Sequence, residues 1–157
     1  MIIALGCDHA GYPLKAELHA WLTKSGHQVL NLGVDTDAVP ADYPDSARAV
    51  AEAVVGGKAE RGIVVCGSGV GASVAANKVP GARAGLCHDT FSARQGVCDD
   101  DVNVLCLGAR VIGAGLALEV AAAWLDARFS GLDRHRRRKD KVLAIERAYS
   151  KEPRHDP

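Results

Sequence analysis

Three stretches of this chain bring together residue types that could move a proton or hold an anion. The first is V-V-C-G-S-G-V-G-A-S, Val64 to Ser73, where an apolar run ends in a cysteine and three glycines stand at alternate positions, followed by A-A-N-K. Glycines at that spacing let backbone N–H groups turn toward a ligand without side-chain obstruction, and the following helix adds the positive end of its dipole. Such a loop stabilises an anion. Cys66, at its mouth, feels the same field, which favours thiolate over thiol. A buried cysteine before a structural glycine turn, or a plain phosphate loop, is the competing reading.

The second stretch is G-C-D-H-A-G-Y, Gly6 to Tyr12. Asp8 either caps the helix that begins there or contacts a ligand. His9, at the carboxyl end of a strand, has the chemistry to donate a hydrogen bond to a phosphate or to move a proton. The third is R-H-R-R-R-K-D-K, Arg134 to Lys141. A solvated helix face is one reading of it. The other is a phosphate grip, because Arg134 and Arg138 stand four apart on one helix face. The triplet Asp99-Asp100-Asp101 invites a metal-site reading, but adjacent acids in a turn do not converge without partners, and no metal is expected.

The elements that must position these residues follow from the alternation of short apolar runs with amphipathic stretches, which predicts βα units around a parallel sheet covered on both faces. Five strands are expected at Ile2–Cys7, Gln28–Leu32, Gly62–Cys66, Arg83–Cys87 and Val102–Leu107. The first helix carries Leu14, Leu18, Trp21 and Leu22 as one stripe, with Pro13 in its first turn and Gly26 at its stop. Further helices are expected at Asp45–Val55, about 71–78, 90 to about 97, Ala114–Arg128 and Arg134–Tyr149. In open α/β sheets ligands bind beyond the carboxyl ends of the strands, where Cys66, Asp8 and His9 fall.

Composition bounds what these elements can serve. With 157 residues, 48% hydrophobic and 24% charged, the chain fits one domain over 1–150, including a basic C-terminal helix from about 134, and a tail at 151–157. Lys plus Arg equals Asp plus Glu at 19 each, so no global field favours nucleic acid or an anionic membrane, and neither is expected as partner. The start MIIALGCDHAG has no signal-peptide pattern, and no run reaches the ~18 apolar residues of a membrane span, so a cytoplasmic location is expected. Five cysteines without a C-x-x-C pair read as free thiols.

Taken together, GCDHAG, CGSGVGASVAANKVPGARA, NVLCLGARVIG and RHRRR resemble the ribose-5-phosphate isomerase B family, which also includes the galactose-6-phosphate isomerase subunits; the likeness spans roughly residues 1 to 149. The resemblance implies a Rossmann-like three-layer α/β/α sandwich with a five-stranded parallel sheet. It also implies a homodimer or dimer of dimers, each active site built across the subunit boundary, and an aldose–ketose isomerase of a sugar phosphate that needs no cofactor. By the same likeness Cys66 is the base moving a proton between carbons one and two. Asp8 and His9 contact sugar and phosphate, and Gly67, Ser68, Gly69, Val70 and Gly71 hold the enediolate, with the Ser68 hydroxyl assisting. Arg110, Arg134 and Arg138 fit phosphate-binding positions, and His135 lies close by.

One departure stands out. Ahead of the NVL strand the family typically carries a His-Asn pair, whose histidine opens the furanose ring, whereas this chain has Asp99-Asp100. Asp99 takes over that catalytic role only if burial or a neighbouring charge keeps it protonated, with Asp100 then beside the substrate. Otherwise His135 opens the ring, or the substrate is a tetrose phosphate that forms no phosphorylated furanose. Ribose 5-phosphate is the expected substrate. The alternatives are a four- or six-carbon sugar phosphate (erythrose 4-phosphate, allose 6-phosphate or galactose 6-phosphate) and a non-catalytic phosphometabolite-binding module.

Overall fold

In the computed structural model, which describes residues 1–150, the apolar runs form five strands and the amphipathic stretches six helices. The order is β1 (Ile2–Cys7), α1 (Tyr12–Lys24), β2 (Gln28–Asn31), α2 (Tyr43–Val55), β3 (Arg61–Cys66), α3 (Val70–Ala76), β4 (Ala84–Leu86), α4 (Thr90–Asp100), β5 (Val104–Gly108), α5 (Ala114–Asp126) and α6 (Asp133–Tyr149). The expected tail at 151–157 lies outside the described residues. No helix among those described is long and apolar enough to cross a membrane.

All strand pairs are parallel and the sheet order is β2-β1-β3-β5-β4, a Rossmann-like α/β arrangement. Alternate residues of each strand face opposite layers. Ile3, Leu5, Ile63, Val65, Leu105 and Leu107 meet Leu14, Leu18 and Leu22 of α1 and Val120 and Trp124 of α5. On the other face Ala4, Val64, Cys66, Val104 and Cys106 meet Val50 and Val54 of α2 and Ala72 and Ala76 of α3. The residues of both layers are almost wholly out of water, which is the main source of stability for a parallel sheet. Trp21 of the expected stripe is only half-buried.

Element bounds differ from the sequence reading mainly at α4, which continues to Asp100. Asp101 ends it in the left-handed conformation, its N–H donating to Val97 O and the following Val102 N–H to Gly96 O, so the acid triplet forms a helix terminus rather than a loop. The three acids diverge: Asp101 pairs with Arg83 and Lys139, Asp99 faces His135, and Asp100 is exposed. Those pairs dock α6 against the body, together with the Glu146 carboxylate accepting Gly81 N–H at 3.0 Å.

Candidate active site

β1 runs from the middle of the sheet to β2 on one side, and the chain then returns to β3 on the other, so the strand order switches direction between β1 and β3. There the connections leaving the two strands separate and leave a crevice at their carboxyl ends. The register sets Cys7 beside Val65, so Asp8 and Cys66 emerge at adjacent points of one edge. An open cleft of 390 Å³ lies above them, lined by Asp8, His9, Ala10, Tyr43, Cys66, Gly67, Ser68, Gly71, Arg110 and Val111. A larger groove of 630 Å³ runs between α6 and the end of α3, but it is lined by apolar side chains together with Asn77, Lys78, Arg83 and Glu146 and holds no thiol or imidazole. Convergence of reactive groups, not size, makes the smaller cleft the candidate site.

Cys66 is 3% exposed, and its Sγ accepts the Gly69 N–H at 3.1 Å. Gly69 can aim that N–H back at the sulfur because its φ is +78°, a left-handed conformation that a side chain at this position would oppose. The next N–H, of Val70, donates to Ser68 Oγ at 3.3 Å, and α3 starts there. One main-chain donor, the Gly69 N–H, therefore reaches the sulfur, and the next N–H of the turn goes to the Ser68 hydroxyl.

Asp8 does not cap α1, whose N-cap is Gly11. Its Oδ1 accepts Gly11 N–H at 2.8 Å, shaping the turn into α1, while the residue also lines the cleft. His9 is held by Ala41, which brings its N–H to Nδ1 at 3.1 Å and its carbonyl oxygen to within 3.2 Å of the same nitrogen. A neutral ring that accepts the N–H carries its proton on Nε2, and a charged ring donates Nδ1–H to the carbonyl, so Ala41 holds His9 in either state. Arg110 reaches the cleft because the turn after β5 is sewn to the cysteine loop: Ala109 N–H donates to Cys66 O and Arg110 N–H to Gly67 O, both at 2.9 Å. Its guanidinium lies over Gly67.

The structure thus gathers Cys66, Gly67, Ser68, Gly71, Asp8, His9 and Arg110 around one cleft, with Gly69 and Val70 in the same loop. Within one chain it does not bring Asp99, Asp100, Arg134, His135 or Arg138 to that cleft. α4 runs back from the end of β4 toward the start of β5, which leaves Asp99 and Asp100 at the amino edge of the sheet, opposite Cys66. Asp99 is engaged there: its Oδ1 lies 3.5 Å from His135 Nδ1, which is also 2.7 Å from Ser130 Oγ. Arg134 Nε donates to His135 Nε2 at 2.9 Å, and Arg138 is exposed on α6. Sequence reasoning missed Tyr43, whose ring lies against Gly71 at the cleft wall. The only local signal was an aromatic residue between Asp42 and Pro44 at a helix start.

A parallel α/β sheet with a thiol and a glycine-rich loop at its switch point is the architecture of a Rossmann-like α/β enzyme. The sequence profile of the family described as Ribose/Galactose Isomerase matches residues 3–142, and the chain belongs to that family of aldose–ketose isomerases. It is 44% identical to the ribose-5-phosphate isomerase B of Escherichia coli over 92% of this chain and 95% of that protein. It is also 44% identical to a D-erythrulose-4-phosphate isomerase of Pectobacterium atrosepticum, over 82% and 85% of the two chains. The solved ribose-5-phosphate isomerase B of Clostridium thermocellum superposes with a TM-score of 0.92 at 46% identity, covering 95% of this chain and 99% of that one.

Proposed function

We propose that this chain interconverts ribose 5-phosphate and ribulose 5-phosphate by a 1,2-proton transfer through the Cys66 thiolate. The observation that carries the reading is the Gly69 N–H on Cys66 Sγ at 3.1 Å, in a cleft shared with His9 and Arg110. The thiolate takes the proton from carbon two of the open aldose, and the electron pair moves onto the carbonyl oxygen to give an enediolate. The thiol returns the proton to carbon one, while the hydroxyl proton on oxygen two shifts to oxygen one, leaving the ketose. Main-chain N–H groups of Gly67 to Gly71 and the Ser68 hydroxyl stabilise the enediolate; loss of one donor of this kind costs roughly 2.7 to 4 kcal/mol. His9 and Arg110 hold the phosphate, and that binding orients the reacting carbons.

Arg134, Arg138 and His135 complete the phosphate grip from a second copy of the chain, since one copy keeps them away from its own cleft, and the working unit is a homodimer or a dimer of dimers. Asp99, engaged with His135, acts through that imidazole in ring opening, and Asp100 stands beside the substrate. A second reading is favoured by the same pairing. If Asp99 serves only to orient His135, the enzyme lacks a ring-opening acid and a four-carbon sugar phosphate fits best, as the similarity to the D-erythrulose-4-phosphate isomerase also suggests.

Comparing kcat/KM for four-, five- and six-carbon aldose phosphates separates these readings; a tetrose or hexose winner displaces ribose. Cys66→Ala is expected to abolish both turnover and deuterium uptake at carbon two from heavy water while leaving phosphosugar binding nearly intact. Isomerase rates close to wild type in that variant would refute the role of the thiol.

A further inference from the structure

The cradle and Arg110 are held from behind by the end of β4. The β4–β5 ladder closes with Leu86 opposite Cys106, and Cys87 N–H donates to Cys106 O at 3.3 Å. Two residues further along β5, Gly108 N–H lies on the same side of its strand, where β4 has already ended. A side chain receives it instead: His88 Nε2 accepts Gly108 N–H at 2.9 Å. Nε2 therefore carries no proton, and the imidazole takes the place of a strand carbonyl.

Gly108 is buried and presses on the cysteine loop so closely that an added Cβ would lie 2.5 Å from Ser68 O. The residues after it are those that sew the turn to Cys66 and Gly67 and send Arg110 over the cradle. Leu86 supports the same loop, its Cδ1 lying 2.5 Å from where a Gly69 Cβ would stand. His88 itself is half-buried and does not line the cleft.

From this geometry we infer that His88 is a positioning residue: by accepting Gly108 N–H it fixes the turn that sets Arg110 and the Cys66–Ser68 loop relative to one another. The inference rests on the reading of Cys66 and Arg110 as working groups. His88→Leu keeps bulk and removes the acceptor, leaving a buried N–H unpaired; kcat/KM on ribose 5-phosphate is expected to fall about tenfold, with KM raised as well as kcat lowered. His88→Gln places an oxygen the same number of bonds from Cα as Nε2 and is expected to restore both constants to within about twofold.

Mere loosening of the fold would lower the active fraction, and so kcat, without moving KM. Wild-type constants in a folded His88→Leu enzyme, or no recovery in His88→Gln, overturn the inference. Should His88→Leu fail to fold, ¹⁵N NMR of the wild-type protein decides: a coupling across the hydrogen bond between the Gly108 amide nitrogen and His88 Nε2 is required, and its absence overturns the inference equally. Cys66→Ala is assayed alongside. Turnover lost there but kept in His88→Leu rejects only the role of His88, whereas turnover kept in Cys66→Ala rejects the reading of the site itself.

Discussion

Five free thiols share this chain, and their surroundings divide them. Burial pushes the Cys7 thiol up to about 11 and raises Cys87 and Cys106 above the ordinary 9.0, so these three behave as small core side chains. Cys66 is also buried, yet it alone of the buried thiols accepts a cradle N–H at the cleft. A thiol whose folded value exceeds its unfolded one keeps its proton more tightly when folded. Its stabilising contribution is therefore complete below pH 9.0 and is lost as pH rises through the folded value. Resistance to urea is expected to fall across that alkaline window, by on the order of 2 kcal/mol from Cys7 alone. Cys7→Ala, compared with its own stability at neutral pH, should show a smaller alkaline loss; an identical loss would assign the effect to other groups.

At the scale of elements, the β3–α3 connection carries the chemistry in the function proposed, and its shape depends on Gly69. A Cβ there would meet Leu86 Cδ1 at 2.5 Å and Leu107 C at 2.9 Å, at a backbone φ of +78°. Gly69→Ala is expected to destabilise the protein by roughly 1 to 3 kcal/mol, read in a thermal melt. Turnover should drop by more than the loss of folded protein accounts for, about tenfold or beyond, because the strained loop withdraws its N–H from Cys66 Sγ. A variant that melts lower but turns over at the wild-type rate would show that this N–H contributes nothing to catalysis. The β5–α5 turn, which carries Arg110, is sewn to the first by two 2.9 Å backbone hydrogen bonds.

At the scale of the whole molecule, the cleft and the basic helix face different regions of one subunit. Arg83, Asp101 and Lys139 fix α6 to the body, which makes folding back of α6 over its own cleft costly. If Arg138 grips the phosphate in a partner's cleft, subunits carrying Cys66→Ala and subunits carrying Arg138→Ala complement each other. Neither homodimer is active at low substrate concentration, but random mixing makes half the dimers mixed, each with one intact site, and about a quarter of wild-type activity returns. No recovery after verified subunit exchange would place Arg138 in its own subunit's site or outside the site altogether.

Much of this was legible in the chain because its signals are local. Aliphatic alternation marks the strands, and C-G-S-G-V-G marks a turn whose glycine conformations and N–H directions are set within a few residues. Those two features placed Cys66 and its cradle at the end of the third strand, where the structure has them. The strand order, and hence the switch point that joins Asp8 to Cys66, was not local. It depends on which strands bury each other's faces, a choice made by packing between segments far apart in sequence. The same holds for Tyr43 at the cleft wall, for His88 taking an N–H from a residue 20 positions away, and for Asp99 turned toward His135. Residue types and spacing determined what chemistry the chain could attempt; only the folded sheet, through contacts no local pattern encodes, decided which side chains stand close enough to share it.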